Sequence, residues 1–191
     1  MPPIDNPLLF DFPDHFETAR LLLRVPRPGD GAIINAAVRE SSADLKPWMV
    51  WAQTEQTVEE SEAVVRRAAA KFIERVGMML LLLRKSDGVF VGASGLHHMD
   101  WSVPQFEIGY WVRTSLQGQG YITEAVNGIT TFAFAQLQAE RVEIRCDSRN
   151  QRSAAVAERA GYTREGYFRH DSRDTAGALR DTLIYAKIRG E

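Results

Sequence analysis

Apolar positions along the chain switch between two rhythms, one with the period of a strand and one with that of a helix. Arg20 to Val25 (RLLLRV) predicts a first strand, closed by Pro26 and Pro28, which cannot donate to a central ladder. Asp30 can then cap a helix carrying Ile33, Ile34, Ala37 and Val38. An irregular, proline-marked piece follows, SSADLKPWMVWAQ, whose Trp48, Met49 and Trp51 either line a groove or pack the loop onto the core. Thr57 and Glu60 have the spacing of a capping box and start a helix through Val58, Val65, Ala68, Phe72, Ile73 and Val76, expected to stop at Gly77. Met78 to Arg84 and Val89 to Leu96 then read as strands, joined through Ser86-Asp87-Gly88 in a hairpin.

The centre of the pattern is Gln105 to Ala125. Phe106, Ile108, Tyr110 and Val112 alternate with Glu107, Gly109 and Trp111, a glycine turn intervenes, and Ile122, Ala125, Val126 and Ile129 resume at helical spacing. Val142, Ile144 and Cys146 form the next strand; because it follows a helix, it is expected to run parallel to the central one. Ser153 to Ala160 predicts a short helix ending at Gly161, a left-handed cap. Tyr162 to Phe168 and Leu183 to Ile188 read as a closing antiparallel pair with Gly177 in their loop. This order implies an α/β fold, a mixed sheet with helices on both faces.

The bend at Gly118 and Gly120 is where the pattern suggests chemistry. Glycines allow a sharp turn and close approach of a ligand, and the first amides of the following helix lack internal partners. Such a nest suits phosphate oxygens. Neither Gly-Lys-Ser/Thr nor a full G-x-G-x-x-G is present, so the bend is suited to holding a phosphate rather than cleaving it; the alternative is an ordinary glycine-rich turn.

Composition narrows the class. A chain of 191 residues, 45% hydrophobic, suits one domain over residues 1–191, with the first ~15 residues as an extended arm. The formal net charge is −2 and no basic run is present, so no direct nucleic-acid ligand is expected. Cys146 is the one cysteine, which leaves no internal disulfide and no thiolate cluster for a metal. The N-terminus lacks a secretory pattern and the longest apolar run, Met78 to Leu83, is too short to cross a membrane; a cytoplasmic protein is expected.

Gln117-Gly118-Gln119-Gly120-Tyr121-Ile122, led by Glu107-Ile108-Gly109-Tyr110-Trp111 and followed by Thr123-Glu124-Ala125, resembles the acyl-CoA-binding motif Q/R-x-x-G-x-G/A of the GNAT acetyltransferases. It departs at Ile122, where the motif has Gly or Ala. LKPWM, Val91-Gly92 running to Gly95-Leu96, and Asn150-x-x-Ser153 leading to Ala160-Gly161-Tyr162 extend the likeness over nearly the whole chain, closest to the branch that acetylates ribosomal-protein N-termini. The resemblance implies the GNAT fold, a mixed central sheet of about seven strands with about four helices. It implies acetyl-CoA as co-substrate and an amine as acceptor, in the first instance a protein N-terminus. A small amine such as an antibiotic or polyamine, or an acyl-CoA sensor without chemistry, are the alternatives. Exposed tryptophans and the habit of the family suggest a homodimer.

Carried onto this chain, the family's contacts give the pantetheine arm to the backbone of Trp111, Val112 and Arg113, with the Val112 amide donating to the oxyanion, and the pyrophosphate to amides from Gln117 to Thr123. Asn150 and Ser153 match a pair that contacts the carrier, with Ser153 near the departing sulfur; either can equally cap the helix. Ser172 falls where related enzymes can carry a catalytic carboxylate. Glu107 is the first candidate base, with a structural ion pair as its alternative. His97 and His98 end the neighbouring strand and either can relay a proton. Adjacent strand residues point to opposite faces, so at most one of them is expected to face the site, and no metal pair is expected. Tyr185 is a further candidate acid, or a core residue.

Overall fold

The computed structural model describes Ile4 and residues 6–191. Its strands are β1 (His15–Glu17), β2 (Leu21–Arg24), β3 (Met78–Arg84), β4 (Phe90–Asp100), β5 (Gln105–Val112), β6 (Arg141–Asp147), β7 (Thr163–Arg173) and β8 (Leu179–Ile188). The helices are α1 (Gly31–Glu40), α2 (Ser42–Leu45), α3 (Val58–Ile73), α4 (Tyr121–Gln136) and α5 (Gln151–Arg159). The strands form one sheet in the order β1-β2-β3-β4-β5-β6-β8-β7. The extra elements relative to the pattern are β1, three residues at the end of the expected arm and just beyond it, and the single turn of α2, both too short for a periodic signature.

The pairing is antiparallel except between β5 and β6, which run parallel as expected of strands joined through a helix. Strand alternation divides the core between the two faces. Met78, Leu80 and Leu82 of β3 and Phe106 and Ile108 of β5 pack with Ala125, Val126 and Ile129 of α4 and with Ala157 of α5. Leu81 and Ala93 face the other way, onto Ile34 and Ala37 of α1 and Val65 of α3. Val126 and Ile129 are fully buried, each worth about 1.5–3 kcal/mol of transfer free energy, which anchors α4 and the bend before it. The expected helices on both faces are thus present.

Local chemistry departs from expectation at three places. Thr57 and Glu60 do form the capping box of α3, but the helix ends at Ile73, before Gly77, because Arg75 takes the left-handed conformation (φ 61°) and Trp101 Nε1 donates to its carbonyl at 2.7 Å. Asp30 makes no side-chain capping bond; Arg24 claims its carboxylate at 2.7 and 2.8 Å. The described part of the arm, from Asn6, makes a 3-10 turn at Pro7–Leu9 and lays Phe12 edge-on against Phe72 and Phe132; residues 1–3 and Asp5 lie outside the described residues.

Candidate active site

Two irregularities in the sheet make the site. The first is a gap. β5 pairs with β6 only from Gln105 to Glu107, against Arg141 to Glu143, and beyond that the two strands carry no pairing. Amide direction alternates along a strand, and the Arg113 amide donates to the Val91 carbonyl on the β4 side at 2.9 Å. The amides of Trp111 and Gly109 follow it toward β4, whereas those of Val112 and Tyr110 point into the gap. Of the three residues assigned to the pantetheine arm, only Val112 therefore offers main-chain groups to a ligand there.

The gap opens into a cleft of about 650 Å³ walled by Tyr110, Ile144, Cys146, Asp147, Asn150 and Ser153 on one side. Trp48, Met49 and Trp51 wall it at the other, with Trp51 6.1 Å from the Trp111 ring. The exposure of these tryptophans is that of a cleft wall.

At the C-terminal end of β5 the chain turns through a 3-10 segment, Thr114–Leu116, into the bend. Gly118 (φ 73°) and Gly120 (φ 78°) both occupy the left-handed region that favours glycine. The first intrahelical bond of α4 is Glu124 N–H to Gly120 O, and among the described residues no protein acceptor takes the amides from Gly118 to Thr123. Ile122, the departure from the motif, is 8% exposed within the main core, so its bulk lies under the helix and leaves these amides open. Tyr121 is likewise buried, beneath the Arg20 guanidinium.

Carboxylates brace the bend from both flanks. Glu40 pairs with Arg113 and accepts from Ser115 Oγ at 2.6 Å; the Arg113 guanidinium and Ser115 hold its carboxyl at about 2. Asp44 accepts from Thr114 Oγ1 at 2.7 Å and from Gln117 Nε2 at 3.0 Å, and Arg152 of α5 donates to Gln117 Oε1 at 3.0 Å. On the far flank Glu124 accepts from Thr18 Oγ1 and Arg20 Nε, both at 2.6 Å, and Arg20 Nη1 donates to Gln119 O at 3.0 Å. The Gln117 side chain is thus a strut between Asp44 and Arg152. Beyond Gly120 a shallow hollow runs along α4 past Asn127 to Arg159.

The second irregularity lies at the other end of β5. His97 pairs with Glu107 and Asp100 with Gln105, so β4 holds one residue more than β5 between these pairs. That bulge puts His98 at φ 47° and turns its ring back over the sheet. Both rings therefore reach Glu107, His97 Nε2 lying 3.1 Å from Oε1 and His98 Nδ1 3.0 Å from Oε2, while of the two only His97 lines the cleft, in keeping with at most one of them facing the site. Gly109 makes room for the first ring; a Cβ there would stand 2.9 Å from His97 Cε1. Burial works to raise the Glu107 pKa, but hydrogen bonds from both imidazoles outweigh it and leave the carboxyl below its ordinary value.

Across the gap Tyr110 Oη lies 3.0 Å from Ser153 Oγ and donates to Ser153 O at 3.0 Å. Burial pushes this phenol well above its ordinary pKa, so it keeps its proton. Asn150 caps α5, its side chain accepting from Ser153 N–H at 3.0 Å. Tyr185 is excluded as an acid in the cleft: it is 1% exposed and donates to Glu158 Oε1 at 3.0 Å. Ser172 lies on β7 opposite Arg180, its Oγ buried and without a partner among the described residues. Tyr110, Arg20 and Arg152 were not singled out by sequence. For Tyr110 the available signal was a hydroxyl on the apolar face of the alternation, which demands a partner when buried.

Comparison with known proteins decides the family. Residues 20–163 match the family model described as acetyltransferase (GNAT) domain. The chain belongs to the GNAT acetyltransferases. A putative ribosomal N-acetyltransferase, YdaF of Bacillus subtilis strain 168, is 28% identical over 172 residues, 90% of this chain and 92% of that one. RimL, a ribosomal L7/L12 α-N-protein acetyltransferase solved with coenzyme A, superposes with a TM-score of 0.83 at 24% identity, covering 90% of this chain and 95% of that one. The microcin C7 self-immunity acetyltransferase MccE, solved with acetyl-CoA and AMP, gives 0.85 at 21% identity over 93% and 97%. GNAT enzymes use acetyl-CoA as co-substrate, so this chain is an N-acetyltransferase and its transfer requires no metal.

Proposed function

We propose that this GNAT protein acetylates the α-amine of a protein N-terminus by direct attack on acetyl-CoA. The amides from Gly118 to Thr123 take the pyrophosphate, the adenosine end extends along the hollow beside α4, and the pantetheine arm runs in the β5–β6 gap. There the Val112 and Tyr110 amides are oriented to donate to the oxyanion, and Glu107, ionised at neutral pH, accepts the proton that the attacking amine loses, directly or through a water, with His97 fixing its carboxylate. The Tyr110 hydroxyl, still protonated, can turn its proton from Ser153 O to the departing sulfur, beside the Ser153 hydroxyl. A thiolate with a pKa near 8.5 is a good leaving group, so that donation assists without deciding the rate.

The observation that carries the choice of acceptor is the charge of the cleft. Arg67, Lys71, Arg145 and Arg180 line it against the carboxylates of Glu107 and Asp147. A polyamine or aminoglycoside would bring several positive charges to a wall that is already net positive, whereas a peptide brings one amine to Glu107 and lays its chain along Trp48, Met49 and Trp51. At pH 7 about a tenth of an α-amine of pKa near 8 is neutral, against under about a thousandth of lysine side chains. The likeness to RimL, an α-N-protein acetyltransferase, and to YdaF, a putative ribosomal N-acetyltransferase, supports a protein acceptor. The basic wall also admits a small amine carrying an anionic group, which is the second reading.

The test is thiol release from acetyl-CoA with a panel: peptides with a free N-terminus, the same peptides N-terminally blocked but bearing lysine, spermidine, an aminoglycoside and an amino acid phosphoramidate. Turnover confined to free N-termini is expected, with the mass gain on the first residue. Faster turnover of spermidine or the aminoglycoside would contradict the reading, and thiol release with none of them, despite binding of acetyl-CoA, would favour a sensor.

A further inference from the structure

We propose that His97, His98 and Glu107 form a three-ligand site for a divalent cation of the zinc class, at the acceptor end of the cleft, whose occupation switches transfer off. The three residues each offer a ligand atom, and these atoms all lie within 4.8 Å of one another. Zinc bonds of about 2.0–2.2 Å at tetrahedral angles put ligands roughly 3.3–3.6 Å apart, and the two histidine-to-glutamate separations, 3.1 and 3.0 Å, are already close to that. The two contacts are to different oxygens, Oε1 and Oε2, so an ion held through one oxygen requires a ring to shift, and His98, with 78% of its side chain exposed, is free to do so. Two imidazoles and one carboxylate select zinc, cobalt or nickel over calcium or magnesium, which take oxygen ligands. The nitrogens that now face Glu107 would turn lone pairs to the ion and carry their protons on the opposite ring nitrogens.

Two features set this cluster apart from a chance meeting of surface groups. His98 is held in the left-handed region by a bulge, and without that extra residue it would face away from Glu107. Glu107 itself is 17% exposed, and the two histidines are the only partners its carboxylate has among the described residues. Three protein ligands leave a fourth position for water or another ligand, and two of the three, His97 and Glu107, line the cleft. Because acetyl transfer needs no metal, an ion here removes the carboxylate that accepts the proton. The binding site stands independently of the proposed function; only the inhibition rests on it.

The full-length protein, freed of metal with a chelator, is titrated with Co2+. One equivalent is expected to bind with the intense visible absorption of a low-coordinate nitrogen-oxygen site, and Zn2+ to displace it. His98→Asn, chosen because asparagine tolerates φ above zero, and Glu107→Gln are each expected to weaken binding at least about 100-fold while acetyl-CoA affinity, the check on folding, stays unchanged. The wild type supplies a second readout through imidazole nitrogen resonances: of the four histidines, Zn2+ is to move His97 and His98 and leave His15 and His170 in place. A spectrum like that of aqueous Co2+, or undiminished binding in His98→Asn, would overturn the site. Stoichiometric Zn2+ binding that leaves turnover unchanged would keep the site and overturn the inhibition, and with it the role given to Glu107.

Discussion

The bend that opens α4 and the histidine end of β5 solve opposite problems. The bend works through main chain: open amides from Gly118 to Thr123, whose direction is set by two left-handed glycines and by braces at Glu40, Asp44 and Glu124. The other end works through side chains, three groups brought together by one inserted residue in β4. Main-chain sites tolerate side-chain variation but fail abruptly when the backbone path is changed. Side-chain sites lose function in steps, one group at a time.

That contrast can be broken most sharply at Gly120. Gly120→Glu adds backbone strain at φ 78° and a negative charge at the mouth of the nest, and is expected to weaken acetyl-CoA binding about 100-fold or more by calorimetry, whatever the acceptor. Glu107→Gln should do the reverse. Turnover falls about 100-fold, in the range of lost general-base catalysis, while acetyl-CoA affinity holds, a split that steady-state and binding measurements resolve together. A large loss of affinity in Glu107→Gln would mean that the two ends do not divide the work as described.

The same contrast explains what the sequence disclosed. Gly118 and Gly120 between an alternating run and a helical one are local, so the nest and the strand-helix unit around it were legible in the spacing. The parallel pairing of β5 and β6 and the left-handed end of α5 at Gly161 (φ 76°) were legible for the same reason. The meeting of His97, His98 and Glu107 was not, because it depends on a one-residue slip in register, and a slip reverses which way a side chain points. Nor does spacing reveal that Tyr110 crosses the gap to Ser153, since that contact exists only once β5 and β6 part. Ile122 broke the motif without consequence for the amides because its side chain is absorbed by the core.

Smaller effects sharpen the picture. Tyr110→Phe is expected to lower turnover about tenfold and leave acetyl-CoA binding unchanged, most visibly with slow acceptors, because the phenol assists an already good leaving group. Arg152→Ala removes one exposed brace at Gln117 and should raise the acetyl-CoA dissociation constant only about two- to fivefold, the range of a surface pair. Smallest is an acid effect on stability. Glu40 is held at about 2 by Arg113 against an ordinary 4.5, so its contribution is complete above pH 4.5 and is lost as the pH falls toward 2. Thermal melts of Glu40→Gln and wild type should therefore converge over that interval.

In the proposed complex open amides at the α4 bend grip the diphosphate while the β5–β6 gap receives the thioester. Titrating 15N-labelled protein with acetyl-CoA tests it most directly. The largest amide shifts are expected at Gly118, Gly120 and Ile122, with Tyr110 and Val112 moving in step and Trp111 and Arg113, bonded to β4, moving less. Saturating acetyl-CoA that leaves the Gly118 to Thr123 amides unshifted while perturbing another surface would contradict it.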